Sequence, residues 1–318
     1  MKAIASRQKE LIDSLIAADL VGDLSASALE KDIHVTDALH ALSKLQHDRI
    51  AIVFCGGTSL SKAHGLIERM SEDVDLKLVL DPAHDFSGGQ LRRHLGKLKR
   101  IVIDRMEALG FRTVEQELIA RNGNRYFASG WKYRTLYGAD NSLRAHLSLE
   151  FTLRTPYFVT HRMPIGYLID KLAGRGGNLV SMTCVAVEET LAEKILSFLR
   201  RHAEHRDGVR ADWDIALVRH IYDTYCIVSA NAQSAQRAAL HFGRLVEYDI
   251  AEFSKHTAFR DNPKQCLAHA LMVAEHEGQT RAEYEQVLRP LIYGTTRPSF
   301  AKAFDVFKST ASLLLETL

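Results

Sequence analysis

The chain has 318 residues, enough for one large domain or two lobes, and its 46% hydrophobic and 25% charged residues are ordinary values for a globular protein. A formal net charge of +2 excludes a polycation, and the lack of any run of about eighteen apolar residues gives no predicted membrane span. Charges at the centre of the N-terminal segment oppose a secretory signal, so we expect a cytoplasmic protein whose four cysteines stay reduced.

Along the chain, apolar residues at three- and four-residue spacing predict helices before residue 48. The next segment is rich in β-branched residues and ends in two glycines, which predicts a buried strand and then a helix. Strict alternation in VDLKLVL predicts a further strand, and a helix and more strands follow it. The predicted helices are 6–16, 35–45, 58–70 and 91–109, and the predicted strands lie at 49–57 and 74–80 and near 111–120, 125–137 and 144–154.

From about residue 187 the apolar periodicity is helical to the end of the sequence, interrupted by a polar stretch at 200–214. The spacing of His202 and His205 in that stretch would allow them to chelate a metal, but its composition favours a solvated connection. We therefore predict an α+β protein with two lobes. Residues 1–165 would form a helical N-terminal layer and a core of mixed sheet with helices, and residues 166–318 a helical C-terminal lobe.

A glycine turn lies between the first predicted strand and the helix after it. Residues 56–59, GGTS, direct backbone N–H groups and a hydroxyl into the space before a helix N-terminus. Unsatisfied N–H groups and the helix dipole favour negative charge there, so the turn suits a phosphate. Gly-Gly turns also occur as plain chain reversals, and the spacing of a P-loop is absent, so the turn alone leaves both interpretations open.

Two aspartates, Asp73 and Asp75, stand at the start of the strand that follows. Side chains two positions apart in a strand point to the same side, so the two carboxylates repel each other unless a cation lies between them. Mg²⁺ prefers carboxylate oxygens and brings triphosphate oxygens into the same coordination shell. The pair alone would favour solvated acids at a strand end, whereas its position after the glycine turn favours a metal site for a nucleotide.

The segment 56–78, GGTSLSKAHGLIERMSEDVDLKL, resembles the nucleotidyltransferase signature of the DNA polymerase β superfamily. It resembles more closely the AbiEii/AbiGii toxin family, to which the MenT nucleotidyltransferases are related. Further similarity lies in LEKDIHVTDALHAL (29–42), EETLAEKILSFLRR (188–201) and ALVRHIYDTYCI (216–227). Within the signature, the matching residues are Gly56, Gly57, Thr58, Leu60, Lys62, Ser71, Asp73, Asp75 and Leu76.

The resemblance implies a polymerase β-like core and a role for several matching residues. Asp73 and Asp75 would hold one or two Mg²⁺ ions that bind an NTP, whose phosphates would lie on the glycine turn. The phosphate-binding set would comprise Gly56, Gly57, Thr58, Ser59, Lys62 and Lys194. Asp223 would organise Lys194 or a metal-bound water. From the residues alone, Lys194 could instead extend along an apolar helix face, and Asp223 could pair with Arg219.

Polymerase β-like sites are expected to have a third carboxylate on a neighbouring strand, as a base or a metal ligand. Glu150 lies on the polar face of the strand predicted near 144–154, and the resemblance assigns it this catalytic role. A glutamate departs from the usual aspartate of the superfamily. This departure leaves open whether Glu150 is a metal ligand, a base or a structural residue.

The MenT resemblance implies a type IV toxin that transfers an NMP to the 3′ end of tRNA and blocks translation, with its antitoxin encoded nearby. The basic helix at 91–105 would dock the RNA, or would be a solvated helix face. The aromatic stretch at 125–134 would stack on a nucleobase or fill the core. Two other functions stay open: transfer to a hydroxyl of a protein or small molecule, and regulatory nucleotide binding without turnover.

Overall fold

A computed structural model of the protein describes residues 1–45, 47, 49–138 and 143–318. The segments with alternating apolar residues form a seven-stranded sheet, and those with helical periodicity form helices. The chain forms two compact units. The first comprises Met1–Gly65 and Arg69–Val185, and the second comprises Leu66–Glu68 and Ala186–Leu318.

The elements of the first unit are α1 (Ser6–Ala17), α2 (Ala26–Leu42), β1 (Ile50–Cys55), α3 (Gly56–Lys62), β2 (Asp73–Leu80), α4 (Gly88–Ala108), β3 (Arg112–Arg121), β4 (Tyr126–Lys132), β5 (Leu147–Leu153), β6 (His161–Ile165), α5 (Leu168–Leu172) and β7 (Val180–Cys184). Those of the second unit are α6 (Val187–Arg206), α7 (Val218–Ala230), α8 (Gln233–Ala239), α9 (Phe242–Glu252), α10 (Thr257–Asp261), α11 (Pro263–His276), α12 (Gly278–Glu283) and α13 (Phe300–Glu316).

The strands of the first unit form one mixed sheet in the order β3-β4-β5-β2-β1-β7-β6. Strand β1 pairs antiparallel with β2 and parallel with β7, whereas β2 pairs parallel with β5. Together with the helices of the second unit, this sheet confirms the predicted α+β class with a helical C-terminal part.

Alternation along β2 and β5 separates an apolar face of the sheet from a polar one. Leu76 of β2 and Phe151 of β5 are at most 1% exposed and belong to one hydrophobic cluster. Leu39 of α2 and Leu95 of α4 pack in the same cluster, and burying each such side chain contributes about 1.5–3 kcal/mol. The opposite face of β2 and β5 therefore carries their polar side chains.

Two predicted helices have other bounds in the structure. The helix predicted at 58–70 ends at Lys62, and shortly after it Gly65 has a φ of +64°, a left-handed conformation that does not continue a helix. The helix predicted at 35–45 begins earlier, where the Ser25 hydroxyl accepts a hydrogen bond from the N–H of Ala28. Its first turns bury charged residues, which hides the apolar periodicity from sequence analysis.

The interpretation of 200–214 as a solvated connection is wrong for its first part, because α6 continues through to Arg206, whereas residues 207–212 form an exposed connection. His202 is only 2% exposed, and its Nε2 lies 2.9 Å from Oε2 of Glu277. Burial lowers the pKa of His202, and Glu277 opposes that shift. The histidine therefore packs inside the second unit with a carboxylate partner.

Strand β7 belongs to the sheet of the first unit, although it lies in the segment 166–318 that we assigned to the C-terminal lobe. The division into a core of residues 1–165 and a helical lobe of residues 166–318 stays a prediction. Within the described residues, none of the helices combines the length and apolar character that a membrane crossing needs.

Candidate active site

Three predicted carboxylates lie close together on the polar face of the sheet. In the parallel pair of β2 and β5, Asp75 is opposite Glu150 and Asp73 is opposite Ser148. Paired residues of neighbouring strands project to the same face, so the carboxyl groups of Asp75 and Glu150 are neighbours. The structure thus gathers Asp73, Asp75 and Glu150 on two adjacent strands of the first unit.

The glycine turn lies directly against one of these carboxylates. Gly56 has a φ of +73°, and a Cβ built on it would lie 2.1 Å from Oδ2 of Asp75 and 2.9 Å from its Cγ. Both the backbone conformation and the close approach of Asp75 therefore require glycine at this position. The turn and the acid are thus parts of one arrangement, in which Cys55 of β1 pairs with Asp75 of β2.

The polar residues of α3 hold the turn in place. The buried Thr58 hydroxyl donates to the backbone carbonyl of Asp73 and lies 2.9 Å from Oγ of Ser71. Ser59 is also buried, and its Oγ forms no hydrogen bond of regular geometry within the described residues. Burial raises the pKa of the nearby Cys184 thiol to about 11, an effect that Ser59 partly offsets. Thr58 thus has structural partners, and the phosphate-binding roles of Thr58 and Ser59 stay predictions.

Lys62 at the end of α3 forms an ion pair with α2. Its Nζ lies 2.5 Å from Oδ1 of Asp32, and Oδ2 of the same aspartate accepts a hydrogen bond of 2.9 Å from the N–H of Leu168. Asp32 belongs to the segment 29–42 that carried part of the family resemblance. The structure therefore gives Lys62 a role in fixing α3 against α2, and its binding of phosphate stays a prediction.

A network of charged residues next to Asp73 was not predicted from the sequence. Lys31 and Glu72 form an ion pair and are 1% and 5% exposed. Glu72 also accepts a hydrogen bond of 2.8 Å from the N–H of Arg144, whose guanidinium lies 2.8 Å from Oδ1 of Asp73. Burial lowers the pKa of Lys31, and the charge of Glu72 opposes that shift. The three consecutive charged residues at 30–32, Glu-Lys-Asp, were the feature of the sequence that could have indicated such a network.

Glu150 has a defined partner on β4. The Tyr126 hydroxyl donates a hydrogen bond of 3.2 Å to Oε2 of Glu150. Burial and the negative charge of Glu150 raise the pKa of Tyr126 to about 12, so the phenol keeps its proton at neutral pH. Tyr126 thus holds one carboxylate oxygen of Glu150 in place. The catalytic role of Glu150 stays a prediction.

Lys194 and Asp223 form an ion pair within the second unit. Nζ of Lys194 on α6 lies 2.6 Å from Oδ2 of Asp223 on α7, and the two side chains are 7% and 0% exposed. Removing charges from water is costly, and a buried pair offsets that cost only when both partners are present. The pair therefore accounts for a lysine on an apolar helix face, and the roles predicted for both residues toward a nucleotide stay predictions.

The donor atoms of the candidate site fit a hard divalent cation. Asp73 and Asp75 offer carboxylate oxygens on one face, which are the ligands that Mg²⁺ prefers. A different group of possible ligands lies in the second unit, where ligand atoms of Asp207, His256 and Cys266 are within 4.8 Å of one another. Arg206 already donates to both oxygens of Asp207, at 2.8 and 3.1 Å, so a cation is present there without a metal.

Two further segments, the basic helix and the aromatic stretch at 125–134, each bury part of their side chains. On α4, Leu95 and Leu98 are fully buried, whereas the basic side chains at its other face are exposed. Those exposed residues are Arg92, Arg93, Lys97, Arg100 and Arg105. In 125–134, Phe127 and Trp131 are at most 1% exposed, which favours the core interpretation for both rings.

Comparisons with known proteins show the family and the fold of the chain. The family model described as "Nucleotidyl transferase AbiEii toxin, Type IV TA system" matches residues 38–306. Among solved structures, the chain is similar to MenT4, a nucleotidyltransferase toxin from Mycobacterium tuberculosis H37Rv, with a TM-score of 0.56 and 17% sequence identity. That match covers 96% of this chain and 89% of the other. Because the sequence identity is low, the match shows a similar fold and nothing further. No curated protein sequence matches the chain.

Proposed function

Because the chain belongs to the AbiEii family of nucleotidyltransferase toxins of type IV toxin–antitoxin systems, we propose that it transfers an NMP from an NTP to the 3′-terminal hydroxyl of tRNA. The family implies an NTP as substrate and an antitoxin as partner. The further proposals are that the reaction depends on Mg²⁺, takes place in the cytoplasm and blocks translation. The register that sets Asp75 beside Glu150, with Asp73 on the same face, is the observation that most directly supports metal-dependent nucleotidyl transfer.

The proposed reaction uses few residue types. Asp73 and Asp75 would hold divalent ions, which would neutralise triphosphate charge and favour departure of pyrophosphate. The acceptor hydroxyl would attack the α-phosphorus in line, and Oε1 of Glu150 would take its proton, because Tyr126 holds Oε2. The N–H groups of the Gly56 turn would hold the β- and γ-phosphates, while the Thr58 hydroxyl, which donates to the Asp73 carbonyl, would fix the turn beside the acids. Positioning and charge stabilisation would supply most of the rate acceleration.

An RNA acceptor is supported by the basic face of α4. Its five exposed cations lie on one helix of the first unit, and clustered exposed cations favour a polyanion over a small uncharged acceptor. RNA bound through phosphates would dissociate as the salt concentration rises, because counterions compete for the cations. A blocked tRNA 3′ end cannot be aminoacylated, which would account for toxicity through translation.

The test is transfer of label from each α-labelled NTP onto total tRNA in the presence of Mg²⁺. We expect labelled tRNA from the wild type and at least about a hundredfold less from Asp75→Asn, which keeps the shape but removes the charge that would hold the metal. Asp261→Asn is the matched control, since the Asp261 side chain is 64% exposed in the second unit. It should label tRNA like the wild type.

The other outcomes separate the competing functions. Label on a protein or small molecule, but not on RNA, would keep the transferase and exclude the tRNA acceptor. NTP binding that requires Asp75, with no labelled product from any acceptor, would indicate a regulatory nucleotide-binding protein. Equal labelling by the wild type and Asp75→Asn would refute the assignment of the active site.

A further inference from the structure

The backbone of Arg144 is held by a buried ion pair. Its N–H donates to Oε2 of Glu72 at 2.8 Å, and its carbonyl accepts from Nζ of Lys31 at 2.6 Å. Lys31 and Glu72 are almost completely buried, and both also contact each other. Removing two charges from water costs free energy, which is a large cost for fixing the backbone of a single residue. Positioning Arg144 is the structural result of that pair.

The side chain of Arg144, in contrast, lies at the surface beside the candidate metal site. Its Nη1 is 2.8 Å from Oδ1 of Asp73, and the two side chains are 52% and 27% exposed. Ion pairs with this exposure contribute little to stability, because water and salt screen them. The Arg144–Asp73 pair therefore does not by itself explain why two buried charges hold the arginine there.

We propose that Arg144 binds a phosphate of the NTP, and that Asp73 is its partner when neither metal nor nucleotide is bound. This inference rests on the proposed function. A divalent ion on Asp73 would repel the guanidinium from that carboxylate. The phosphates that share the ion's coordination would then be the nearest anions. A guanidinium presents two parallel N–H donors that match a phosphate, and its charge does not titrate.

The arrangement also separates two requirements of such a residue. The anchored backbone keeps the arginine within reach of the site, and the exposed side chain is able to exchange one anion for another without crossing the core. In the resting state the same cation reduces repulsion between Asp73 and Asp75. Arg144 would thus stabilise the carboxylates of Asp73 and Asp75 before a metal ion binds, and would contribute to nucleotide affinity afterwards.

The test is a set of binding measurements on the full chain. Wild type, Arg144→Gln and Arg144→Lys are titrated by calorimetry with each of the four α,β-methylene NTP analogues at saturating Mg²⁺. The same proteins are titrated with Mn²⁺ alone, followed by electron paramagnetic resonance, and with total tRNA without nucleotide. Arg289→Gln is the control, because Arg289 is an exposed arginine of the second unit that also pairs with a carboxylate.

We expect Arg144→Gln to bind the preferred analogue about ten- to a hundredfold more weakly, the loss typical of a hydrogen-bonded charge pair. Arg144→Lys, which keeps the charge but lacks the two parallel N–H donors of a guanidinium, should show a smaller loss of affinity for the analogue. Mn²⁺ alone should bind Arg144→Gln at least as tightly as the wild type, because a competing cation is gone. The affinity for tRNA should not change, and Arg289→Gln should match the wild type throughout.

Each other outcome is decisive. Unchanged analogue affinity in both Arg144 variants would overturn the inference and leave Arg144 as a counter-ion of Asp73. Weaker tRNA binding with unchanged analogue binding would assign Arg144 to an RNA phosphate and overturn its assignment to the NTP. Absence of analogue binding by the wild type would refute the proposed function itself. If Arg144→Gln does not fold, Arg144→Lys decides, because it retains a cation beside Asp73.

Discussion

Two ion pairs of similar length lie in different surroundings in the two units. Arg144 and Asp73 are 2.8 Å apart with side chains 52% and 27% exposed, whereas Lys194 and Asp223 are 2.6 Å apart and 7% and 0% exposed. In the first pair, water or a ligand can replace either partner. In the second, loss of one partner leaves a charge inside the protein. Distance alone therefore does not indicate whether a charged residue serves stability or binding.

The largest expected effect tests the buried pair. Lys194→Met should lower the free energy of unfolding by about 3–5 kcal/mol, because Asp223 stays buried without its lysine. Arg144→Gln should lower it by no more than about 1 kcal/mol, since its pair is exposed. Urea unfolding of both variants measures the difference. Equal losses of stability would break the comparison.

The double variant Lys194→Met/Asp223→Leu separates stability from function in the same pair. It removes both charges, so we expect it to recover most of the stability that Lys194→Met loses. A stable double variant that transfers no nucleotide would support the role predicted for Lys194 and Asp223. A stable and active one would mean that the pair serves the fold alone.

His34 sharpens the comparison, because it is buried in the first unit without a charged partner. It is fully buried, and neither ring nitrogen has a hydrogen-bond partner within the described part of the chain. Burial lowers its pKa from 6.5 to about 4; the smaller effect of Asp37 raises the pKa, and that of Lys2 lowers it further. Between these values the unfolded chain binds more protons, so the free energy of unfolding should fall as the pH falls.

The loss from pH 7 to pH 4 that is due to His34 should be about 3 kcal/mol. Urea unfolding at several pH values measures it as the difference between the wild type and His34→Leu, in which this contribution is absent. The exposed His269 supplies the control, and His269→Gln should follow the wild type. Parallel curves for the wild type and His34→Leu would show that the pKa of His34 is the same in the folded and the unfolded chain.

A pair of glycines tests how tightly the candidate site is built. Gly56 and Gly65 both have a left-handed backbone, with φ of +73° and +64°. A Cβ built on Gly56 would lie against Asp75, whereas within the described structure one built on Gly65 would have no heavy atom within 4 Å apart from its chain neighbours. Each alanine substitution should cost about 1–2 kcal/mol for the conformation. Gly56→Ala should cost about 1–3 kcal/mol more for the clash, measured by urea unfolding. Equal losses would mean that Asp75 moves away freely.

How much of this was predictable depends on how far apart the partners lie in the sequence. Alternation over VDLKLVL is local, so it predicted strand β2 and the shared face of Asp73 and Asp75. The neighbourhood of Glu150 and Asp75 depends on the parallel pairing of β2 and β5, which no local pattern encodes. Glu150 was therefore named through the family resemblance, and its role still awaits a test.

The network behind Asp73 and the burial of His202 escaped prediction for the same reason. Lys31 and Glu72 are 41 positions apart, and Lys31 and the Arg144 carbonyl are 113 apart. His202 meets Glu277 across 75 positions, so its polar neighbours in sequence suggested solvent instead. A charged residue looks the same in sequence whether its partner is water or a distant side chain.

The smallest expected effect concerns the hydrogen bond between the half-buried Tyr126 and Glu150. Tyr126→Phe removes the donor to Oε2 of Glu150, a bond of 3.2 Å that should contribute about 1 kcal/mol. If Glu150 is the base, kcat for transfer should fall about fivefold while KM for the NTP stays constant, because positioning of the acceptor's proton changes and nucleotide binding does not.

Tyr137→Phe is the matched control, since Tyr137 donates at 2.7 Å to the Asp13 carboxylate on α1, outside the site. An unchanged kcat in Tyr126→Phe would argue that Glu150 has no part in the chemical step, and a raised KM would argue that it binds the nucleotide or its metal instead.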